Sequence, residues 1–428
     1  MTALMLFMGF LVLLALRVPI TMAIGISVLG SLIAAGYDNT LWIIPMRVQE
    51  GVNNSSLLAI PFFVLAGNLM NAAGLTERLF NMANALIGHF KAGLAQVNVL
   101  ASVLMAGGTG AAVADIAGLG VVEIRAMRER GYTASFSAAI TTVSAILAPF
   151  IPPSVPLVVY AFLANVSVAR MFLAGIGPAI LIAVALMIYN RVYASVVDLP
   201  TQPKASGREI WICILKGTPP LAAPGIIMAG ILTGTTTAAE AGILACGYTL
   251  LLSLFYGSFR FSAIWNAVSD TMLITAMIMI IIGFANGMGW LLAVERIPQD
   301  IAAAVPGLID QPFLFLMAVV GIVLVVGCFI DGVTAKLLLV PILLPLVDAY
   351  GIDRIHFGIV MQMGLILGLA TPPMGIGLYI VARIAEIPVE HVVRAVLPFF
   401  IPLLIVLTLL AAVPQIALWL PNTVLGPR

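Results

Sequence analysis

The sequence is a near-continuous succession of apolar runs, many of them close to the about 20 residues that an α-helix needs to cross a bilayer. Residues 2–16 continue through 20–35, and further runs cover 57–73, 94–106, 134–148, 154–166 and 171–197. The second half repeats the theme at 219–234, 238–256, 271–294, 313–330, 337–348, 356–371 and 390–413. A water-soluble fold has no use for so much apolar surface: 62% of the 428 residues are hydrophobic and 9% charged, where soluble domains carry about a quarter charged. The predicted class is an all-α polytopic membrane protein surrounded by lipid bilayer. A net charge of +1 without a basic cluster speaks against a nucleic-acid partner. Cys213, Cys246 and Cys328 are far apart and read as apolar filler, and His89, His356 and His391 are equally dispersed, so no metal-ligand spacing occurs. The opening stretch "MTALMLFMGFLVLLALRVPITMAIG" lacks a basic leading region and a small-residue cleavage site, and is expected to be a retained membrane helix.

Several runs are too short to cross alone, and runs of about 10–14 residues suit re-entrant or broken segments. Two pairs look re-entrant: 94–106 with 111–122, and 313–328 with 333–346. Each folds about a glycine-bearing tip, "AGGTGAA" (106–112) and "GCFIDGV" (327–333). The polar stretch 198–218 divides the chain almost in half and is expected to be a linker. Basic residues at 125–130 and 204–208 put both loops on the cytoplasmic side.

The two halves repeat. At a shift of 220 residues, Gly67 meets Gly287, Gly107 meets Gly327, Gly131 meets Gly351, Pro152-Pro153 meets Pro372-Pro373, and Pro178 meets Pro398. Glycine and proline record backbone geometry, and matched interruptions in repeated halves point to a secondary transporter's binding site. The expected organisation is N-terminal helices over 1–56, a first repeat over 57–197, the linker, further helices over 219–260, and a second repeat over 271–420. Each repeat is predicted to hold a helical hairpin (near 94–125 and 313–346) and a broken helix (near 148–156 and 369–377).

Chemistry concentrates at these interruptions. "APFIPPSVPLVVY" (148–160) and "LATPPMGIGLY" (369–379) each carry two adjacent prolines, which strip amide donors and disfavour helix at the preceding residue. Carbonyls freed in this way persist at membrane depth only where protein, water or an ion satisfies them. With the hydroxyls of Ser154 and Thr371 they form a set of hard oxygen donors suited to Na⁺; the alternative is a plain proline kink. At the tips, Gly107, Gly108, Thr109 and Gly110 expose backbone, and Asp331 stands opposite Ala111. Asp331 reads either as a functional ionisable group or as the cap of the following helix. Glu240, closing "TGTTTAAEAG" (233–242), reads as a helix cap. Asp115 is expected to cap or pair within the first hairpin, and Lys336 to pair with a carboxylate in the second. No nucleophile–base arrangement, phosphate loop or haem motif occurs, and an enzyme is not expected.

Taken in order, "GGTGAAVADIAGLG", "RERGY", "APFIPPSVPLVVY", "TTTAAEAG", "GCFIDGVTAKLLLVPILLP", "YGIDRIHFG" and "GLATPPMGIGLY" resemble the blocks of the large membrane subunit of tripartite ATP-independent periplasmic (TRAP) transporters. The resemblance covers nearly the whole chain. One departure is Thr109-Gly110-Ala111, where family members often carry Ser-Gly-Ser, so one hydroxyl is lost. The resemblance implies a scaffold with a moving, elevator-type transport domain built from the hairpins and broken helices. It implies a first ion site at Gly107, Thr109, Gly110, Ala111, Ala148, Ile151, Pro153 and Ser154, and a second at Gly327, Asp331, Gly332, Thr371, Met374 and Gly375. Thr109, Ser154, Asp331 and Thr371 would also face substrate. It further implies Na⁺ as coupling ion with no other cofactor, a small four-helix membrane subunit, a periplasmic substrate-binding protein and an organic-acid substrate such as a dicarboxylate or sugar acid. A stand-alone dicarboxylate or citrate symporter is the alternative that needs no binding protein.

Overall fold

The computed structural model describes residues 2–197, 199–307 and 309–427, without the side chains of Thr2, Ala3, Leu4, Asp38, Ser56, Thr109, Ala302, Ala304 and Pro306. The described residues form helices and no strand. The N-terminal group is α1 (Thr2–Ala15), α2 (Ile20–Ala34), α3 (Ile43–Val52), α4 (Ala59–Ala72) and α5 (Leu75–Ile87). Helices α4 and α5 meet at 72°, where Gly74 takes a left-handed φ of 66° that only glycine adopts freely. The first hairpin and broken helix follow as α6 (Gly93–Thr109), α7 (Ala112–Glu129), α8 (Ala134–Ser144) and α9 (Val155–Ala164), then the long α10 (Val168–Val196). A middle group comprises α11 (Gly207–Leu232), α12 (Ala238–Phe255), α13 (Phe261–Val294) and α14 (Ile297–Ala304). The second set is α15 (Pro312–Phe329), α16 (Gly332–Ala349), α17 (Arg354–Gly368), α18 (Ile376–Ala385), α19 (Val389–Val396), α20 (Phe400–Ala412) and α21 (Gln415–Leu425). Seven of the described helices are long and apolar enough to cross a membrane, or eight if α4 and α5 together make one bent span. The chain is a multi-pass membrane protein.

Three sequence expectations change in detail. The polar stretch 198–218 is not all linker, because α11 starts at Gly207. A capping box starts it: the Ser206 hydroxyl accepts from the Glu209 amide at 3.2 Å, and the Glu209 carboxylate accepts from the Ser206 amide at 2.7 Å, which satisfies two otherwise orphaned donors. The repeat is also not gapless. Hairpin arms α7 and α16 start at Ala112 and Gly332, 220 residues apart (332 − 112). Helices α9 and α18 start at Val155 and Ile376, 221 apart (376 − 155). The extra residue falls just after the proline pairs, so the cap of α9, Ser154, corresponds to the cap of α18, Gly375. The Pro178–Pro398 coincidence falls out of register for the same reason: α10 runs unbroken through Pro178, whereas Pro398 lies in a short 3₁₀ turn between α19 and α20.

The repeats pack crosswise. Helix α18 lies against α7 and α8 of the first repeat, while α9 lies against α16 and α17 of the second. Each segment that follows a proline break thus covers the other repeat's hairpin arm. Helices α8 and α17, which lead into the breaks, are buried on every side from Phe136 to Ser144 and from Ile355 to Leu365. Helices buried on every side in this way belong in a core. Glycine permits the closest approaches: a Cβ on Gly368 would stand 2.2 Å from the Gly327 carbonyl carbon, and one on Gly358 would stand 2.2 Å from the Tyr160 ring. Around this core, α13 runs along α2, α3 and α4, with α11 against α5 and α12 against α4.

Candidate functional site

A cavity of about 380 Å³ opens where the two hairpin tips meet. One wall is the start of α7, Ala111 to Ala114; the facing wall is the tip and start of α16, Gly327 and Ile330 to Thr334. Pro149, Val155 and Pro156 of the first break, Gln362 of α17, Asn68 and Asn71 of α4, and apolar residues of α13 complete it. Asp331 is its one charged lining residue among the described side chains.

The tip of the first hairpin is shaped by glycine. Gly110 ends α6 with φ 58°, and a Cβ there would lie 2.6 Å from the Pro153 carbonyl oxygen. A Cβ on Gly107 would meet Pro224 of α11 at 2.6 Å and the Pro152 carbonyl oxygen at 3.2 Å. The tip and the break are therefore pressed backbone to backbone. The carbonyls of Pro152 and Pro153 accept no backbone or side-chain hydrogen bond from the described residues. Helix α7 then starts from extended Ala111 with no side-chain cap. Its first amides lack intrahelical acceptors, and Ala112, Val113 and Ala114 all line the cavity.

Of the other sequence-predicted residues in this half, Ala111 lines the cavity. Ala148 and Ser154 are fully buried outside it, and Ile151 is half-buried. The Ser154 hydroxyl donates to the Pro149 carbonyl at 2.7 Å and accepts from the Leu157 amide at 3.4 Å, so it caps α9. Thr109 is the last residue of α6, and its side chain lies outside the described residues.

In the second half, Gly327, Asp331 and Gly332 line the cavity, whereas Thr371, Met374 and Gly375 do not. The Asp331 carboxylate accepts from the Val333 amide at 3.0 Å and so caps α16. The Thr371 hydroxyl donates to the Leu367 carbonyl at 2.7 Å. The Leu369 and Thr371 carbonyls crowd Gly375, 2.6 and 2.7 Å from where its Cβ would be. Both already accept amides, from Gly377 and Gly375 respectively. Met374 is exposed. Both proline–proline bonds, Pro152-Pro153 and Pro372-Pro373, are cis.

Glu240 is a cap, as its sequence context suggests: its carboxylate accepts from the Thr237 amide at 2.7 Å while the Thr237 hydroxyl accepts from the Glu240 amide at 3.3 Å. Glu240→Ala is expected to lower the melting temperature slightly and to leave transport kinetics unchanged, measured on the same preparation. Asp115 makes no capping hydrogen bond. It accepts from Ser102 across the hairpin at 3.1 Å, because the end of α7 is set by Ala111 and residue 115 already lies inward. Behind it runs a buried polar cluster, with Thr141 donating to Glu123 at 3.2 Å and Asn98 donating to Thr141 at 2.7 Å. Among the described residues, one oxygen each of Asp115 and Glu123 has no partner. Among the described residues Lys336 forms no ion pair with a carboxylate: its ammonium donates to the Pro156 carbonyl at 2.9 Å and to the Gln362 amide oxygen. Sequence reasoning missed Asn68, Asn71, Thr334 and Gln362 as cavity residues. The available signal was a lone polar residue inside an apolar run, as in "VMQMG" at 360–364. No group of three or more His, Cys, Asp or Glu that could hold a metal occurs among the described residues.

Two solved transporter structures share the fold at low sequence identity. The YdaH transporter of Alcanivorax borkumensis has a TM-score of 0.55 at 15% identity, covering 89% of this chain and 88% of its own. MtrF of Neisseria gonorrhoeae has a TM-score of 0.56 at 13% identity, covering 91% and 85%. Sequence relatives are much nearer. The sialic acid TRAP transporter large permease protein SiaM of Vibrio cholerae is 40% identical over 381 residues, 89% of each chain. The C4-dicarboxylate TRAP transporter large permease protein DctM of Pseudomonas aeruginosa is 36% identical over 88% of each. The 2,3-diketo-L-gulonate TRAP transporter large permease protein YiaN of Escherichia coli is 33% identical over 92% of this chain and 95% of its own. Residues 7–416 match the profile of the tripartite ATP-independent periplasmic transporter, DctM component. The chain therefore belongs to the DctM component family of tripartite ATP-independent periplasmic transporters, and it is a transporter permease rather than an enzyme.

Proposed function

We propose that this permease carries out Na⁺-coupled uptake of a small organic acid across the bacterial inner membrane. The acid is delivered by a periplasmic substrate-binding protein, and a small four-helix membrane subunit completes the complex. The observation that carries this reading is the uncapped start of α7 opening into the cavity between the tips. Orphan amides and the positive end of a helix dipole favour an anion there. The three relatives are named for sialic acid, a C4-dicarboxylate and a diketogulonate, all of them carboxylic acids.

The donor set around the first tip suits Na⁺. The carbonyls of Pro152 and Pro153, close to Gly107 and Gly110 and without a hydrogen-bond donor among the described residues, are hard oxygens of the kind a desolvated cation needs, and an unsatisfied carbonyl is costly at membrane depth. In the second break the Leu369 and Thr371 carbonyls accept turn amides and the Pro373 carbonyl accepts from the Tyr379 hydroxyl at 3.1 Å, so the first proline pair, with neither carbonyl engaged among the described residues, has the better claim. Crosswise packing of the hairpins and breaks makes one body able to move against the surrounding helices, which supports an elevator motion.

The test is reconstitution of the permease with its small subunit and binding protein into proteoliposomes, followed by uptake of radiolabelled sialic acid, diketogulonate and succinate. Uptake of one of these acids that depends on an inward Na⁺ gradient is expected. Equal uptake without the gradient would remove sodium coupling, and full uptake by the permease alone would favour a stand-alone symporter.

A further inference from the structure

Lys336 is wholly buried on α16, the second arm of the second hairpin. Its ammonium reaches across the repeats to the Pro156 carbonyl and to the Gln362 amide oxygen. Both acceptors are neutral, and both belong to residues that line the cavity. An ammonium has three donors, and the third meets no acceptor among the described residues. No ion pair includes Lys336 among them either. A buried cation without a counter-charge is costly, and such groups are normally paired. The lining carboxylate, Asp331, is exposed and is occupied in capping α16. Immediately behind one wall of the cavity there is thus a buried lysine amine that no carboxylate pairs with directly among the described residues.

We propose that Lys336 is a specificity-determining residue whose buried ammonium supplies the counter-charge for the carboxylate of the transported acid. Resting on the organic-acid reading above, it assigns the charge selectivity of that cavity to one side chain. The ligand's carboxylate sits on the cavity side of Pro156 and Gln362, and Lys336 holds it through the field of the ammonium. In a low-dielectric wall shielded from water, one unit charge at such range has a large effect. The ammonium acts by charge rather than by filling space, so neutralising it weakens anion binding with little change in the rate of the carrier cycle.

Two variants test this in the reconstituted three-component transporter, with radiolabelled sialic acid, diketogulonate and succinate as probes. Lys336→Met keeps length and apolar bulk but removes the charge. Gln362→Glu keeps the lysine and its hydrogen bond but sets a carboxylate against it, which neutralises the wall by a second route. Both are expected to raise KM for the transported acid by about tenfold or more with Vmax within about twofold, the signature of lost ground-state binding. A thermal unfolding curve on the same preparations reports whether each variant is folded, and Gln362→Glu decides the matter if Lys336→Met is not. A KM unchanged in a folded variant overturns the role of Lys336 alone. A fall in Vmax at constant KM overturns it too, by making the residue a structural strut. Failure of the unmodified transporter to move any of the three acids overturns the organic-acid reading and this inference together.

Discussion

Gly110→Ala is expected to reduce transport by more than tenfold in a chain that still inserts into the membrane. The residue sits in left-handed conformation at φ 58°, where any other L-residue pays roughly 1–2 kcal/mol. The added methyl would also lie 2.6 Å from the Pro153 carbonyl oxygen, far inside the about 3.5–4.0 Å of a normal carbon contact. Relief requires either the tip or the break to move. That displaces a carbonyl proposed to hold the ion and the amides of Ala112 to Ala114 proposed to hold the acid. The measurement is initial uptake rate as a function of external Na⁺, alongside the amount of monodisperse protein recovered. A Na⁺ dependence and rate equal to those of the unmodified transporter would show that tip geometry does not govern the site.

Gly368→Ala is expected to have the largest effect on stability. At this position α15 and α17 touch through backbone: the new Cβ would stand 2.2 Å from the Gly327 carbonyl carbon and 2.5 Å from both its Cα and its oxygen. Neighbouring Gly327 has the reciprocal constraint, with the Leu365 carbonyl oxygen 2.5 Å from where its Cβ would be. Overpacking in a core costs about 1–3 kcal/mol when side chains can shift. Here the opposing atoms are main chain at the mouth of the cavity, so a loss of about 3 kcal/mol or more is expected. Thermal unfolding of the detergent-solubilised permease measures it. Gly321→Ala, on α15 with nothing within 4 Å of its new methyl, is the control and is expected to melt like the unmodified chain. Equal melting of both variants would show that the α15–α17 crossing tolerates separation.

Much of the architecture was legible because proline and glycine act on their own backbone. Pro152-Pro153 and Pro372-Pro373 break helices wherever they fall, and Gly131 and Gly351 take left-handed φ at corresponding turns. Glu240 was readable for the same reason, since its partner Thr237 lies three residues away. Ser154 was harder. Its hydroxyl closes on Pro149, a local bond, yet its counterpart depends on a one-residue shift that glycine and proline landmarks upstream do not reveal. Asp115 was legible as a residue that acts within the hairpin, but a cap and a cross-hairpin bond to Ser102 look alike until the start of α7 is known.

By itself the sequence determined the membrane class, the twofold repetition, the two hairpins with their glycine tips and the two broken helices. These are properties of runs of residues and of single residues acting on adjacent backbone. Tertiary structure alone decided which surfaces face one another. It set α9 against α16 and α18 against α7, enclosed the cavity between Ala111–Ala114 and Ile330–Thr334, and gave Lys336 a carbonyl 180 residues distant in place of a carboxylate nearby. The reason is physical: a side chain buried in an apolar core binds whatever polar atom packing brings within about 3 Å, and in a crosswise fold that atom belongs to the other repeat.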